Sequence, residues 1–278
     1  MKRLGATLFA VLLLLCACGG GDSGVNGEVK VVFADVGKAD FILIKTESGF
    51  GVIDAGYKAS KDKIDSVMKE YGVSELEFAV ATHNDKDHIG SIAHVIQKYK
   101  VKTLYTTPLE SEDKLYKNML DAASLRGTEV NQIMQGAGFS LGDAVFSVLE
   151  PDSGLLALQS ENDSSLVIRM QFGGTAVLFM GDAQLKTETA LMKKYSTDLQ
   201  CDAIKIGHHG SDKASSQLFL SKTGAEYAII TTGDEEPAAA VTVKAINACK
   251  MKKFDTQTDG DIVLVSNGKK VTVTSKGK

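Results

Sequence analysis

The stretch Ser165-Leu166-Val167-Ile168-Arg169-Met170-Gln171-Phe172-Gly173-Gly174-Thr175-Ala176-Val177-Leu178-Phe179-Met180-Gly181-Asp182 decides the fold. Two β-rich runs, Ser165 to Phe172 and Thr175 to Met180, flank a glycine pair suited to a tight hairpin turn. From Ala176 on the second run is apolar, as a strand buried on both faces requires. It stops at Gly181-Asp182. The same order stands near the start of the chain: a strand from Phe41, a glycine-containing turn, the strand Gly49 to Ile53, then Asp54.

Around these two units the chain alternates short strands with helices. Glu28 to Phe33 is β-rich, and Lys61 to Tyr71 puts Ile64, Val67, Met68 and Tyr71 at helical spacing until Gly72 stops it. Phe78 to Thr82 reads as a buried strand that runs into a polar loop, His83 to His88, with a helix predicted from there to about Tyr99. A strand at Val101 to Tyr105, a helix at Leu115 to Leu125 and a strand at Ala144 to Leu149 complete the first half. After Asp182 come a helix (Lys186 to Tyr195), a strand (Ala203 to Ile206) ending in Gly207-His208-His209-Gly210, a helix (Ser216 to Lys222), a strand (Tyr227 to Thr232) and a helix (Val241 to Lys250). A hairpin, Asp261 to Val265 and Val271 to Thr274, turns at Asn267-Gly268. Two similar halves, each a sheet with helices, predict an α/β protein folded as a four-layer αββα sandwich, sheets face to face and helices outside. No linker or composition shift follows Gly27, so residues 28–278 read as one domain.

Composition sets outer limits. The 278 residues are 44% apolar and 24% charged, with only 3 Pro, which excludes collagen-like, coiled-coil and mostly disordered chains. The first residues read as an address. Lys2 and Arg3 precede an apolar run, Leu4 to Leu15, too short for a transmembrane span of roughly 20 residues. Residues 1–17 are therefore expected to be a signal peptide, and residues 18–27 a flexible tether. Without residues 1–17 the chain holds 29 basic and 35 acidic residues, a formal −6, which excludes a strongly basic nucleic-acid coat. Cys201 and Cys249 remain in the body, where buried free thiols are the expected state.

The chemistry lies where strands end. His83-Asn84-Asp85-Lys86-Asp87-His88 puts two His and two Asp into one loop after a buried strand, where α/β folds place their sites. Imidazole and carboxylate bind divalent first-row metals. In an extended loop residues 83 and 85 point the same way, while 87 and 88 serve a second position, so the spacing suits two adjacent ions. Asp182, behind Gly181, ends a buried strand, where a carboxylate either begins a turn or bridges two cations. His208 and His209, flanked by glycines, offer one metal ligand and one substrate contact or leaving-group stabiliser. His94 stands alone and reads as packed or surface, Asp54 as structural. Lys86, Lys205 and Lys213 read chiefly as solvated lysines near these loops.

The order His-x-Asp-x-Asp-His, Gly-Asp, His-His-Gly-Ser resembles the metallo-β-lactamase superfamily, and within it the extracytoplasmic hydrolase domain of ComEC-type DNA-uptake competence proteins. Phe33 to Asp40, Val52 to Gly56, Asn162 to Val167, Lys205 to Ser211 and Thr258-Asp259-Gly260 support it. The resemblance implies two divalent ions, Zn or Mn. His83 and Asp85 would hold one, Asp87 and His88 the other, with Asp182 bridging, His208 completing the ligands of the second ion and His209 near the substrate. Asn162 falls where a His of the first ion usually stands. Asp87 and His209 are the candidate catalytic residues, and Asp87→Ala is expected to lose turnover by orders of magnitude. Asp85 in place of the commoner His makes Mn²⁺ plausible and a β-lactamase unfavoured. Gly233-Asp234-Glu235-Glu236-Pro237 carries no His where the subfamily has one. Leu15-Cys16-Ala17-Cys18 resembles a bacterial lipobox and implies a lipid anchor on Cys18, hence an extracytoplasmic place at the bacterial cell membrane.

The expected activity is metal-dependent hydrolysis of a phosphoester substrate, with DNA or an envelope polymer as partner. Two cations lower the pKa of a shared water to about 7 and stabilise both attacking and leaving oxygens of a phosphodiester. Two other readings stand beside it: a cell-envelope phosphoester hydrolase such as a phosphorylcholine esterase, and an inactive binding protein with the same fold.

Overall fold

The computed structural model describes residues 24–195, 199–234 and 236–278. The expected signal peptide, Cys16 and Cys18 lie outside the described residues. Among those described, no helix is long and apolar enough to cross a membrane.

Fifteen strands form two sheets among the described residues. In chain order they are β1 (Val29–Phe33), β2 (Ile42–Thr46), β3 (Gly49–Ile53), β4 (Glu75–Ala81), β5 (Lys100–Thr106), β6 (Glu129–Gln132), β7 (Gly138–Leu141), β8 (Ala144–Glu150), β9 (Val167–Phe172), β10 (Thr175–Phe179), β11 (Ala203–Lys205), β12 (Tyr227–Ile230), β13 (Lys252–Asp255), β14 (Ile262–Ser266) and β15 (Val271–Ser275). One sheet runs β15-β14-β1-β2-β3-β4-β5-β6, the other β13-β12-β11-β10-β9-β8-β7. The repeat in the sequence is a repeat in the topology. β2 and β3 are antiparallel, and β3, β4, β5 and β6 then run parallel. β9 and β10 are likewise antiparallel, and β10, β11, β12 and β13 run parallel.

The layers follow from the two-residue period of strands. Val31 and Ile168 point inward, to a core shared by both sheets with Phe33, Phe146, Val177 and Phe179. Their neighbours point outward. Val32 joins Leu43, Val52 and Ala79 beneath α1 (Lys61–Glu70), two short helices and α4 (Lys114–Arg126). Val167 joins Leu178 and Ile204 beneath α5 (Leu185–Lys194), α6 (Gln217–Thr223) and α7 (Ala240–Ala248). This is the αββα sandwich read from the sequence.

One expected helix is two. The segment predicted to run to about Tyr99 divides into α2 (Lys86–Ile89) and α3 (Ile92–Lys98). A side chain at Gly90 would meet the Gly56 carbonyl at 2.6 Å, and Ser91 Oγ donates to the Tyr57 carbonyl at 2.6 Å. The break lets the backbone of residues 56–58 press against the loop that carries the candidate ligands. The β6, β7 and β13 strands, four residues each, carried no pattern strong enough to expect.

The parallel strands point their carboxyl ends to one edge. β3 delivers Asp54 there, β4 the loop 82–88, β10 Asp182, and β11 the two histidines. The two halves meet at this edge: Leu166 N–H donates to the Thr82 carbonyl at 2.9 Å.

Candidate metal centre

Asp54 adopts the left-handed conformation (φ 59°), which aspartate enters at small penalty. Its carboxylate accepts from Thr82 N–H and Thr82 Oγ1, both at 2.8 Å, and lies 2.7 Å from His88 Nδ1. An ionised carboxylate only accepts, so Nδ1 carries a proton and Nε2 is turned to the site. Asp54, read from sequence as structural, thus aims a candidate ligand.

The loop after β4 holds its donors by backbone geometry. The Asp85 carbonyl takes the N–H groups of His88 and Ile89, which starts α2 and places Asp87 and His88 in its first turn. His83 is wholly buried, with Nδ1 3.0 Å from Thr82 Oγ1. Its Nε2 has no hydrogen-bond partner, lies 3.6 Å from Asp85 Oδ2 and 3.9 Å from Asp182 Oδ2. The Asp85 side chain is 43% exposed, on the open side of the centre.

The other half supplies Asp182, His208 and His209. Gly181 is left-handed (φ 52°), and a side chain there would crowd Ser165 and Thr82 at 3.0–3.3 Å. Asp182 N–H donates to Ser165 Oγ at 3.1 Å, and His208 N–H to the Gly181 carbonyl at 3.2 Å. His208 and His209 are both left-handed (φ 47° and 51°), a conformation that costs non-glycine residues of order 1–3 kcal/mol each. The turn sends the two rings apart. His209 is buried, its Nδ1 3.0 Å from both the carbonyl and the hydroxyl of Thr231. Its Nε2 lies 3.2 Å from His88 Nε2, 3.4 Å from Asp182 Oδ1 and 3.5 Å from Asp87 Oδ2. His208 stands at the rim, near Gln184 Nε2 (3.1 Å), with Nε2 3.8 Å from Asp182 Oδ2.

The donors gather into two groups that share one carboxylate. Asp87, His88, Asp182 and His209 each present an atom, all within 4.8 Å of one another. His83, Asp85 and His208 lie on the side of the other Asp182 oxygen. The resemblance set His208 beside Asp87 and His88; the geometry sets His209 there. Asn162 lies in the turn Asn162–Ser164, where its Oδ1 is buried without a partner, and its side chain hydrogen-bonds to none of these groups.

The electrostatics suit a cation. Burial alone raises the Asp182 carboxyl, but the His209 and His88 imidazoles outweigh it and hold it well below the ordinary range. Burial works against charge on His88, yet the Asp182 and Asp54 carboxylates raise it well above its ordinary value. Asp87, opposed by burial, is held to about 2 by His209 and then His88. A place that draws protons onto buried imidazoles offers the same place to a metal ion, whose binding releases those protons. The unpartnered His83 Nε2 and the imidazole–carboxylate donor set fit divalent metals. Beside them a cleft of about 410 Å³ is lined by Asn84, Asp85, Lys86, Asp87, Ser111, Asp113 and Glu161.

Sequence reading missed Asp40 and misjudged Lys205. Lys86 and Lys213 are exposed, but Lys205 is wholly buried and paired with Asp40, itself buried. Asp40 Oδ1 accepts from Thr231 Oγ1 at 2.6 Å, behind His209. The signal was faint: one lysine at a strand end, Lys205-Ile206, and an Asp beside β2. His94 packs against Asp65 at 3.0 Å. Cys201 and Cys249 are free thiols.

Comparisons with known proteins agree with this geometry. Residues 34–233 match the family model described as the metallo-beta-lactamase superfamily. ComE operon protein 3 of Bacillus subtilis (strain 168) is 27% identical over 226 residues, 75% of this chain and 28% of that protein. Competence protein ComA of Neisseria gonorrhoeae is 28% identical over 234 residues, 84% of this chain and 31% of that protein. The chain thus spans less than a third of the length of either relative. The crystal structure of YhfI from Bacillus subtilis, a metallo-beta-lactamase fold protein, superposes with a TM-score of 0.57 at 11% identity, covering 86% of this chain and 100% of that one, which shows the fold. Fold, donor order and the family match converge, and the chain belongs to the metallo-beta-lactamase superfamily.

Proposed function

We propose that this chain is an extracytoplasmic, two-cation phosphodiesterase that acts on nucleic acid. One observation carries the reading. Asp182 faces His88 and His209 with Oδ1, at 3.2 and 3.4 Å, and His83 and His208 with Oδ2, at 3.9 and 3.8 Å. A carboxylate with imidazoles on both oxygens is built to bridge two ions. Asp87, His88, His209 and Asp182 Oδ1 would hold one, and His83, Asp85, His208 and Asp182 Oδ2 the other. Two bound divalent ions supply a nucleophile at neutral pH and offset charge on both attacking and leaving oxygens, a match to phosphodiester hydrolysis.

The chain's own residues orient that chemistry. Asp54 fixes His88 through Nδ1, and Thr231 fixes His209 through Nδ1, so both rings present Nε2. Asp85 and the cleft beside it form the open face through which a substrate strand approaches. The likeness to competence proteins favours nucleic acid. The apolar leader and the Cys18 lipobox favour a domain tethered outside the membrane.

The test is hydrolysis by the full chain loaded with Mn²⁺ or Zn²⁺, with Asp182→Asn as the inactive reference. Cleavage of bis(p-nitrophenyl) phosphate and of single-stranded DNA supports the reading. Preference for p-nitrophenylphosphorylcholine would replace it with an envelope phosphoester hydrolase. Two ions bound with no cleavage would replace it with a binding protein.

A further inference from the structure

Lys205 is the last residue of β11, and no part of its side chain reaches solvent. A buried ammonium persists only beside a counter-charge and acceptors. Its Nζ rests against Asp40 Oδ2, donates to the Gly181 carbonyl at 3.2 Å, and stands 3.9 Å from Asp182 Oδ1. The lysine is not one of the proposed ligands, and its charge would repel a cation. We infer that Lys205 is a positioning residue: with Asp40 it forms an internal strut that sets the cation donors in place before any ion binds.

The contacts of the pair reach the supports of three donors. The Gly181 carbonyl is held from two sides, by Lys205 Nζ and by His208 N–H, which fixes the left-handed turn that aims Asp182. Asp40 Oδ1 takes the Thr231 hydroxyl at 2.6 Å, and Thr231 in turn holds His209 Nδ1. The Asp40 backbone N–H donates to the Asp87 carbonyl at 3.1 Å, while the Asp40 carbonyl takes Gly56 N–H at 2.7 Å. Asp182 and His209 are thus braced through the side chains of one buried ion pair, and Asp87 through the Asp40 backbone.

The inference rests on the metal reading above, and its sign is what makes it testable. If Lys205 acted only through its charge, removing it would tighten cation binding, because like charges repel. If it positions the donors, removing it weakens cation binding, by the roughly 10- to 100-fold typical of outer partners of metal ligands. Lys205→Met alone leaves Asp40 buried without its ammonium partner and lowers the thermal midpoint of the ion-free protein. Asp40→Asn combined with Lys205→Met removes both charges and returns that midpoint toward wild type.

Mn²⁺ titration calorimetry on the full chain separates the outcomes. Wild type binds Mn²⁺, and the double variant, stable again, binds it about 10- to 100-fold more weakly. Thr231→Val, a milder cut that removes only the hydroxyl between Asp40 and His209, shifts binding in the same direction. Binding by the double variant as tight as wild type, or tighter, overturns the inference while leaving the metal reading intact. A wild type that takes up no Mn²⁺ overturns the metal reading, and the inference with it.

Discussion

Asparagine at position 54 isolates one proton. Asp54 makes three contacts: Thr82 N–H at 2.8 Å, Thr82 Oγ1 at 2.8 Å and His88 Nδ1 at 2.7 Å. Asp54→Asn keeps the size, keeps the tolerance of a left-handed backbone and keeps one carbonyl oxygen for Thr82 N–H. Its amide NH₂ then replaces the oxygen facing His88. That NH₂ donates to Nδ1 only if Nδ1 gives up its proton, which leaves the ring's remaining proton on Nε2. Nε2 is the atom that points at Asp182 Oδ1, 3.2 Å away, and the one proposed to take a cation. Outer-partner changes of this kind weaken metal binding about 10- to 100-fold. That equals about 1.4–2.7 kcal/mol. Mn²⁺ calorimetry reads the affinity, and ¹⁵N spectra of the ion-free variant read which ring nitrogen of His88 is protonated. Affinity within about twofold of wild type, with the proton on Nε2, would refute the tautomer argument.

Three further expectations test other parts of the molecule. Asp65 is held to about 2, because hydrogen bonds from Lys98, Tyr99 and His94 outweigh burial; an unfolded Asp titrates near 3.9. Its contribution to stability is therefore full above about pH 4 and lost as pH falls through about 2, so Asp65→Asn should melt below wild type at pH 6 and match it near pH 2. A gap that survives at pH 2 would count against this. His209→Ala should weaken Mn²⁺ binding more than about tenfold and His208→Ala by less, since only His209 sits within the four-donor group; calorimetry giving the reverse order would restore the assignment implied by the family resemblance. Phe78→Ala removes ring contacts at 4.9 Å to Phe139 and 5.3 Å to Phe146. Such losses cost about 3–5 kcal/mol. At about 2–4 °C per kcal/mol the thermal midpoint should drop roughly 6–20 °C, and a drop under about 2 °C would mean that the inter-sheet core closes over the gap.

The architecture was readable because its signal is local. Hairpin, apolar strand and terminal Asp recur within short windows, whereas Val31 with Val32 and Val167 with Ile168 are apolar on both faces, so which one turns inward is set by the packing of the two sheets. The edge strands β6 and β13 were not readable, because four half-exposed residues carry no period. The site divides in the same way. The ligand-type residues of the loop 83–88 announce themselves by chemistry and spacing. Which of His208 and His209 turns inward is set by a left-handed backbone that residue types do not encode. Lys205 acquires its meaning only from Asp40, on the far side of the sequence, so nothing in its own neighbourhood marks it as buried.

The hydrogen bond from Leu166 to Thr82 marks the seam between the two repeats, and the donors straddle it: His83, Asp85, Asp87 and His88 come from one side, Asp182, His208 and His209 from the other. An ion seated there would clasp the repeats like a rivet. Because it would bind only the assembled form, it would add RT ln(1 + [ion]/Kd) to the free energy of unfolding, about 2.7 kcal/mol at a hundredfold excess over Kd. Catalytic competence and mechanical integrity would then rise and fall with the same ion supply, and chelation would loosen the whole sandwich as well as silence it.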